Sequence, residues 1–155
     1  MCGRAMFIPS PAVMKGLAFM GDSIPHEDVF PGFWHPDERQ GYTQLPHELI
    51  EHMHKMSDAE LRITLYVFRH TWGFQEFKKL KKITTDEFMN GRKRKDGSRM
   101  DEGTGLSDRG VKNGVAQALA HGYIICRVDD RDKARVKKYY GIKLYEEEDY
   151  SEETG

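Results

Sequence analysis

Apolar positions along this chain recur first at helical spacing, between about residues 47 and 121, and then in alternation, from 123 to 144. A short helix is expected over His47–Lys55. The next helix is marked more sharply. Ser57-Asp58-Ala59-Glu60 is a capping box, a hydroxyl at the cap with a carboxylate three residues on. Leu61, Leu65, Phe68 and Trp72 follow as an apolar stripe, and Gly73 sits where a helix stop belongs. Ile83 marks a brief strand. Thr85 caps a short helix over Asp86–Asn90, and the polar, glycine-rich segment 91–105 reads as a loop. Ser107 caps a helix that runs to His121 and stops at Gly122. At about 100° per residue, Val111, Val115, Ala118 and Leu119 share one face of it. Arg109, Asn113, Ala116, Gln117 and Ala120 share the other, with Lys112 at its edge. Two strands close the pattern, 123–128 and 136–144. Val136, Tyr140, Ile142 and Leu144 lie in one phase of the second, and the charged tip 129–135 joins the two. The order predicts an α+β fold, a winged helix-turn-helix: a three-helix core followed by a β-hairpin wing.

The rest of the chain frames this domain. Residues 1–41 hold five of the six prolines and read as an arm, with Phe30, Phe33 and Trp34 as aromatic anchors. Residues 42–145 form the domain and 146–155 an acidic, disordered tail. No apolar run approaches the ~20 residues of a membrane helix, and the start lacks the order of regions of a secretory signal. A cytoplasmic location is therefore expected. Cys2 and Cys126 make no disulfide framework.

The net charge of −1 hides segregation. Residues 78–99 and 131–143 are strongly basic, whereas the last ten residues carry Glu146, Glu147, Glu148, Asp149, Glu152 and Glu153. Uneven charge of this kind points to a nucleic-acid face. A helix fits the major groove, where arginine pairs with guanine and asparagine with adenine by two hydrogen bonds each. Arg109, Lys112, Asn113 and Gln117 are thus the candidate base contacts, and Ala116 and Ala120 let the helix approach closely. Ser107 and the first-turn amides suit a phosphate. Arg92, Lys93, Arg94, Lys95 and Arg99 in the loop, and Arg131, Lys133, Arg135, Lys137 and Lys138 in the wing, are the other candidate phosphate contacts.

The stretches YTQLPHELIE (42–51), SDAELRITLYVFRHTWGF (57–74) and GLSDRGVKNGVAQALAHGYI (105–124) resemble the amino-terminal winged-helix domain of phage replication protein O. The resemblance covers most of residues 42–124. It implies sequence-specific binding of duplex DNA at a replication origin. The family's helicase-recruiting region is expected to be missing after the wing, and the basic insertion 91–105 is longer than a usual helix-turn-helix turn.

Other constellations are thin. His47, Glu51 and His54 would stack on one side of a helix, but HELIEH lacks the spacing of a zinc protease. Met1-Cys2-Gly3-Arg4 resembles the start of SRAP-domain proteins, whose terminal cysteine reacts with abasic DNA, without the rest of that pattern. Tyr139 offers a surface on which a single-stranded base could stack. No phosphate-binding glycine loop is found. The expectation is a non-enzyme with no cofactor and no metal. Its partner is double-stranded DNA, with replication or transcription proteins and a second copy of itself (a homodimer) as further candidates. The alternatives are a winged-helix transcriptional regulator and a protein-interaction module without DNA binding.

Overall fold

The computed structural model describes residues 30–37, 41–145 and 150–152. The described residues divide between two units, one before and one after the boundary at Arg39 and Gln40. In the first, the rings of Phe30 and Phe33 meet edge-on at 4.9 Å. Phe30, Phe33 and Trp34, expected as anchors, are all exposed, Phe33 at 93%. The Met1-Cys2-Gly3-Arg4 motif lies outside the described residues.

The described part of the second unit contains four helices, α1 (His47–His52), α2 (Asp58–His70), α3 (Thr85–Asn90) and α4 (Asp108–His121). Its strands are β1 (Lys79–Lys82), β2 (Ile124–Asp129), β3 (Lys137–Ile142) and β4 (Ser151–Glu152). The fold is α+β: helices on a small antiparallel sheet of β2, β3 and β1, with β4 added in parallel at the β1 edge. This order is compatible with the architecture expected from the sequence. Among the described residues no helix is long and apolar enough to cross a membrane.

Helix starts follow their caps. Ser57 accepts from the Glu60 amide while Glu60 accepts from Ser57, so two otherwise unpaired amides are satisfied together. The cap of α3 is Thr84, not Thr85, and it forms the same box with Glu87. The helix α2 ends at His70, before the expected Gly73. Trp72–Phe74 is a 3-10 turn, and Gln75 takes the left-handed conformation that ends it. The first helix, α1, stops at His52, and His54 falls in a 3-10 turn rather than in the α-helix expected over His47–Lys55.

The core lies between α2, α4 and one face of the sheet. It contains Ile63, Val67, Phe68, Phe88, Val111, Ala118, Ile124, Tyr140 and Ile142. Of the expected stripe, Phe68 is buried in the core and Leu61 and Trp72 pack against it, but Leu65 is exposed, and Glu60, Ile63, Thr64, Tyr66, Val67 and His70 are buried beside it. A helix covered by both a second helix and a sheet buries a wider arc than an amphipathic surface helix.

Register explains the strands. Tyr140 faces Lys81 and Cys126, and Ile142 faces Ile124, on the side that meets the helices. Tyr139 faces Lys82 and Arg127 on the other side, yet it too is buried, as is Leu80. Tyr139 is therefore no open stacking platform for a base. Val136, expected inside, is half exposed. The chain returns to this second side. Tyr150 Oη donates to Ile142 O (3.1 Å) and accepts from Leu144 N (2.9 Å), and Arg127 Nη1 donates to Tyr150 O (3.0 Å). Ser151 and Glu152 then pair with Lys79 and Leu80. The stretch expected as a disordered tail is thus fastened to the sheet at 150–152. Residues 146–149 and 153–155 lie outside the described residues.

Candidate nucleic-acid interface

The seat of α4 decides which of its side chains are free. Val111, Gly114 and Ala118 are its buried residues. Gly114 is the closest approach: a Cβ there would meet Ala59 O and Ile63 Cγ1, both at 2.8 Å. Two polar contacts flank this seam. The buried Glu60 carboxylate takes His121 Nδ1 at 2.6 Å, and Ser57 Oγ donates to Gln117 Oε1. Ser107 Oγ caps the start of the helix, accepting from Gly110 N at 3.1 Å. Gly122, at φ 79°, closes the end.

Arg109, Lys112, Asn113, Ala116, Gln117 and Ala120 are accordingly exposed, as the angular reading of the sequence expected. Leu119, expected inside, is 37% exposed. The exposed side chains are not equivalent. Lys112 Nζ pairs with Asp108 at 2.8 Å, and Gln117 is turned to Ser57. Arg109 and Asn113 have no partner among the described residues and stand one turn apart.

The tip of the β2–β3 hairpin is folded on its own acids. Arg131 Nε and Nη2 each reach the Asp129 carboxylate at 2.9 Å. The arginine holds that carboxyl down at about 2. Asp132 caps the turn through Ala134 N at 3.0 Å. Lys133, Arg135, Lys137 and Lys138 remain exposed, and Lys137 stands across the hairpin from Asp129, whose carboxyl its charge also lowers. Arg131, expected as a phosphate contact, instead spends its planar fork on Asp129.

The insertion is a loop, as expected, and its backbone is tied together by its own hydrogen bonds. Arg94 N donates to Ser98 O, and Met100 N to Arg92 O, both at 2.7 Å, with a bridge between Lys93 and Arg99. Arg99, expected on phosphate, turns inward and donates to Asn90 O (3.2 Å) and Gly91 O (2.8 Å). Arg92 lies 3.5 Å from Glu87. Lys93, Arg94 and Lys95 are exposed.

Sequence reasoning missed the residues that hold this element. Asp101 accepts from Tyr66 Oη (3.0 Å) and Gly103 N (2.8 Å), and its second oxygen lies 3.0 Å from His70 Nε2. His70 is fully buried, and burial pushes its imidazole below its usual 6.5 despite the neighbouring carboxylate. Burial and the same carboxylate raise the Tyr66 phenol. The flanking glycines, Gly91, Gly103 and Gly105, were the only local signal. The consequence for His70 is measurable. Between its lowered pKa and 6.5 the unfolded chain holds more protons than the folded one, so stability falls as pH drops through that window. An NMR titration is expected to find His70 neutral at pH values where an exposed histidine is already charged; an ordinary midpoint would contradict the burial argument.

A cavity of about 500 Å³ opens elsewhere, lined in part by Leu49, Phe68, Trp72, Tyr123 and Lys143. Among the described residues, no three His, Cys, Asp or Glu side chains are placed to share a metal ion. No family model, no curated protein and no solved structure matches the chain.

Proposed function

We propose that the protein is a winged-helix DNA-binding protein that lays α4 in the major groove of duplex DNA and contacts phosphates with the β2–β3 hairpin as the wing. The observation that carries this is the state of α4. One face is locked onto α2 at Gly114, and the opposite face presents Arg109 and Asn113 without partners. Small residues, Ala116 and Ala120, continue that face. Arginine and asparagine are the side chains that recognise guanine and adenine bidentately, so this face suits base readout. Lys133, Arg135, Lys137 and Lys138 add charge for phosphates. Ser107 and the first-turn amides lie at the same end as Arg109 and suit a phosphate there.

The process is inferred from the resemblance of residues 42–124 to phage replication protein O: site-specific binding at an origin in phage-type replication initiation. Base contacts are assigned to Arg109 and Asn113 first. Lys112 and Gln117 contribute after leaving Asp108 and Ser57.

Amide chemical shifts test the face directly. Adding a mixed-sequence duplex to labelled protein is expected to move the amides of residues 107–117 and 130–138 together. Shifts confined to the cavity wall at Leu49, Trp72 and Lys143 would instead place the binding surface elsewhere.

A further inference from the structure

We propose that residues 92–100 are a second nucleic-acid-binding arm and that Asp101 is the residue that positions it. The proposal rests on the duplex-binding reading and adds a contact to phosphates outside the segment read by α4.

The arm is a small hairpin with its own turn. Besides the two bonds between its sides, Gly97 N donates to Arg94 O at 3.1 Å, and Ser98 uses its amide and hydroxyl on Asp96 Oδ1 at 2.9 and 2.6 Å. Two-stranded hairpins of this size are marginal by themselves in water. This one is mounted. Arg99 fastens its return side to the carbonyls of Asn90 and Gly91, at the end of α3. Thr104 donates from its amide (2.8 Å) and its hydroxyl (2.7 Å) to Phe88 O in the same helix. Gly91, at φ 101°, packs so close that a Cβ there would stand 1.8 Å from Asp101 O.

Asp101 joins this base to the core. Its carboxylate collects Tyr66 Oη, Gly103 N and His70 Nε2. Tyr66 and His70 are both buried on α2, the central helix. The arm therefore cannot swing without breaking contacts to side chains whose own positions are set by the core.

The charge at the tip is the reason for so firm a mount. Lys93, Arg94 and Lys95 are consecutive and exposed. Asp96, the nearest acid in the chain, is used by Ser98. Arg94 gives one nitrogen to Ser98 Oγ and Arg99 O, keeping other donors outward. Among the described residues no acid pairs with Lys93 or Lys95. Holding like charges together in one fixed hairpin is repulsive, and a polyanion relieves that repulsion. A chain segment needed only for solubility gains nothing from being fixed. The chain leaves this arm through Asp101–Leu106 directly into the cap of α4, so arm and reading helix share one mounting.

The test compares three proteins on one duplex over a salt series: the parent, Lys93→Ala with Lys95→Ala, and Asp101→Asn. The lysine pair is expected to flatten the log–log salt slope by about 1.8, at about 0.9 per phosphate. Asp101→Asn keeps every arm cation. It is nevertheless expected to weaken binding and flatten the slope, with faster hydrogen exchange at the Arg94, Gly97 and Met100 amides and unchanged protection in α4. A merely structural residue would lower thermal stability without moving the salt slope. If Asp101→Asn does not fold, Tyr66→Phe removes one donor to the same carboxylate and should shift the slope in the same direction. A parent that binds, with both variants at the parent's slope, overturns the arm while leaving duplex binding by α4 intact. Exchange that quickens in Asp101→Asn with no change of slope overturns the positioning role. A parent that does not bind duplex at all overturns the underlying reading and the arm with it.

Discussion

Gly114→Val is expected to destabilise the domain by about 3 kcal/mol, the upper end of the usual cost of overpacking. The missing side chain at 114 is what lets α4 lie on α2. A Cβ would stand 2.8 Å from Ala59 O, and that atom is backbone in the first turn of α2. It cannot give way as a flexible side-chain end could. The same turn is fixed from both sides, by the Ser57–Glu60 box and by the bond from Glu60 to His121. Valine's two further methyls would force the helices apart. Alanine at 114 gains about 1 kcal/mol of helix propensity over glycine, so its net cost is expected to be smaller. In a domain of roughly 100 residues, 1 kcal/mol moves the melting temperature by about 4–8 °C, so the valine variant should melt at least about 12 °C lower. Thermal unfolding by circular dichroism measures this. A valine variant melting with the parent would mean that the seam at Gly114 is wrongly placed.

Arg109→Ala is expected to weaken binding to a selected target duplex by about 5- to 150-fold, following about 1–3 kcal/mol per bidentate base contact. Binding to mixed-sequence duplex should suffer less, since only a single positive charge is lost to the phosphate field. This pattern separates base reading from charge. Arg109 is exposed and has no partner among the described residues, so its removal leaves no buried group unsatisfied and should not unfold the protein. The target is obtained by selection from random duplexes with the parent protein. Equal losses on selected and mixed duplex would make Arg109 a phosphate contact, and the α4 face would then read no sequence.

Local chemistry was what the sequence carried most plainly. Ser57 with Glu60, Ser107 and Gly122 mark helix ends by hydrogen bonds made within one turn, and the structure places them there. The outward face of α4 was also legible, because polar and apolar side chains divide at the helical period. Its seam was not. Gly114 carries no hydrophobic signal, and its importance lies in how near another backbone comes. The strand phase placed Tyr140 and Ile142 inside, where they are, but did not show the burial of the opposite face. Tyr139 and Leu80 are buried on the second side of the sheet, and a segment expected to be solvated returns through Tyr150 to pair with Lys79 and Leu80. The basic insertion was seen as charge and missed as architecture. Its fastening runs from Asp101 to Tyr66 and His70, residues that sit 35 and 31 positions away and announce nothing in their own neighbourhoods. Arg99 turned out to be fastened to the end of α3, and Arg131 to pair with Asp129 at the exposed hairpin tip.

Fluorescence anisotropy on mixed-sequence duplex and single-stranded DNA over a salt series tests duplex binding through α4 and the wing. The comparison is between the parent and a wing variant, Lys133→Ala with Arg135→Ala. Duplex binding is expected to fall steeply with salt, binding to the single strand to be weaker, and the slope to flatten by about 1.8 in the wing variant. Absence of duplex binding at low salt, or a slope untouched by the wing substitutions, would contradict binding through α4 and the wing.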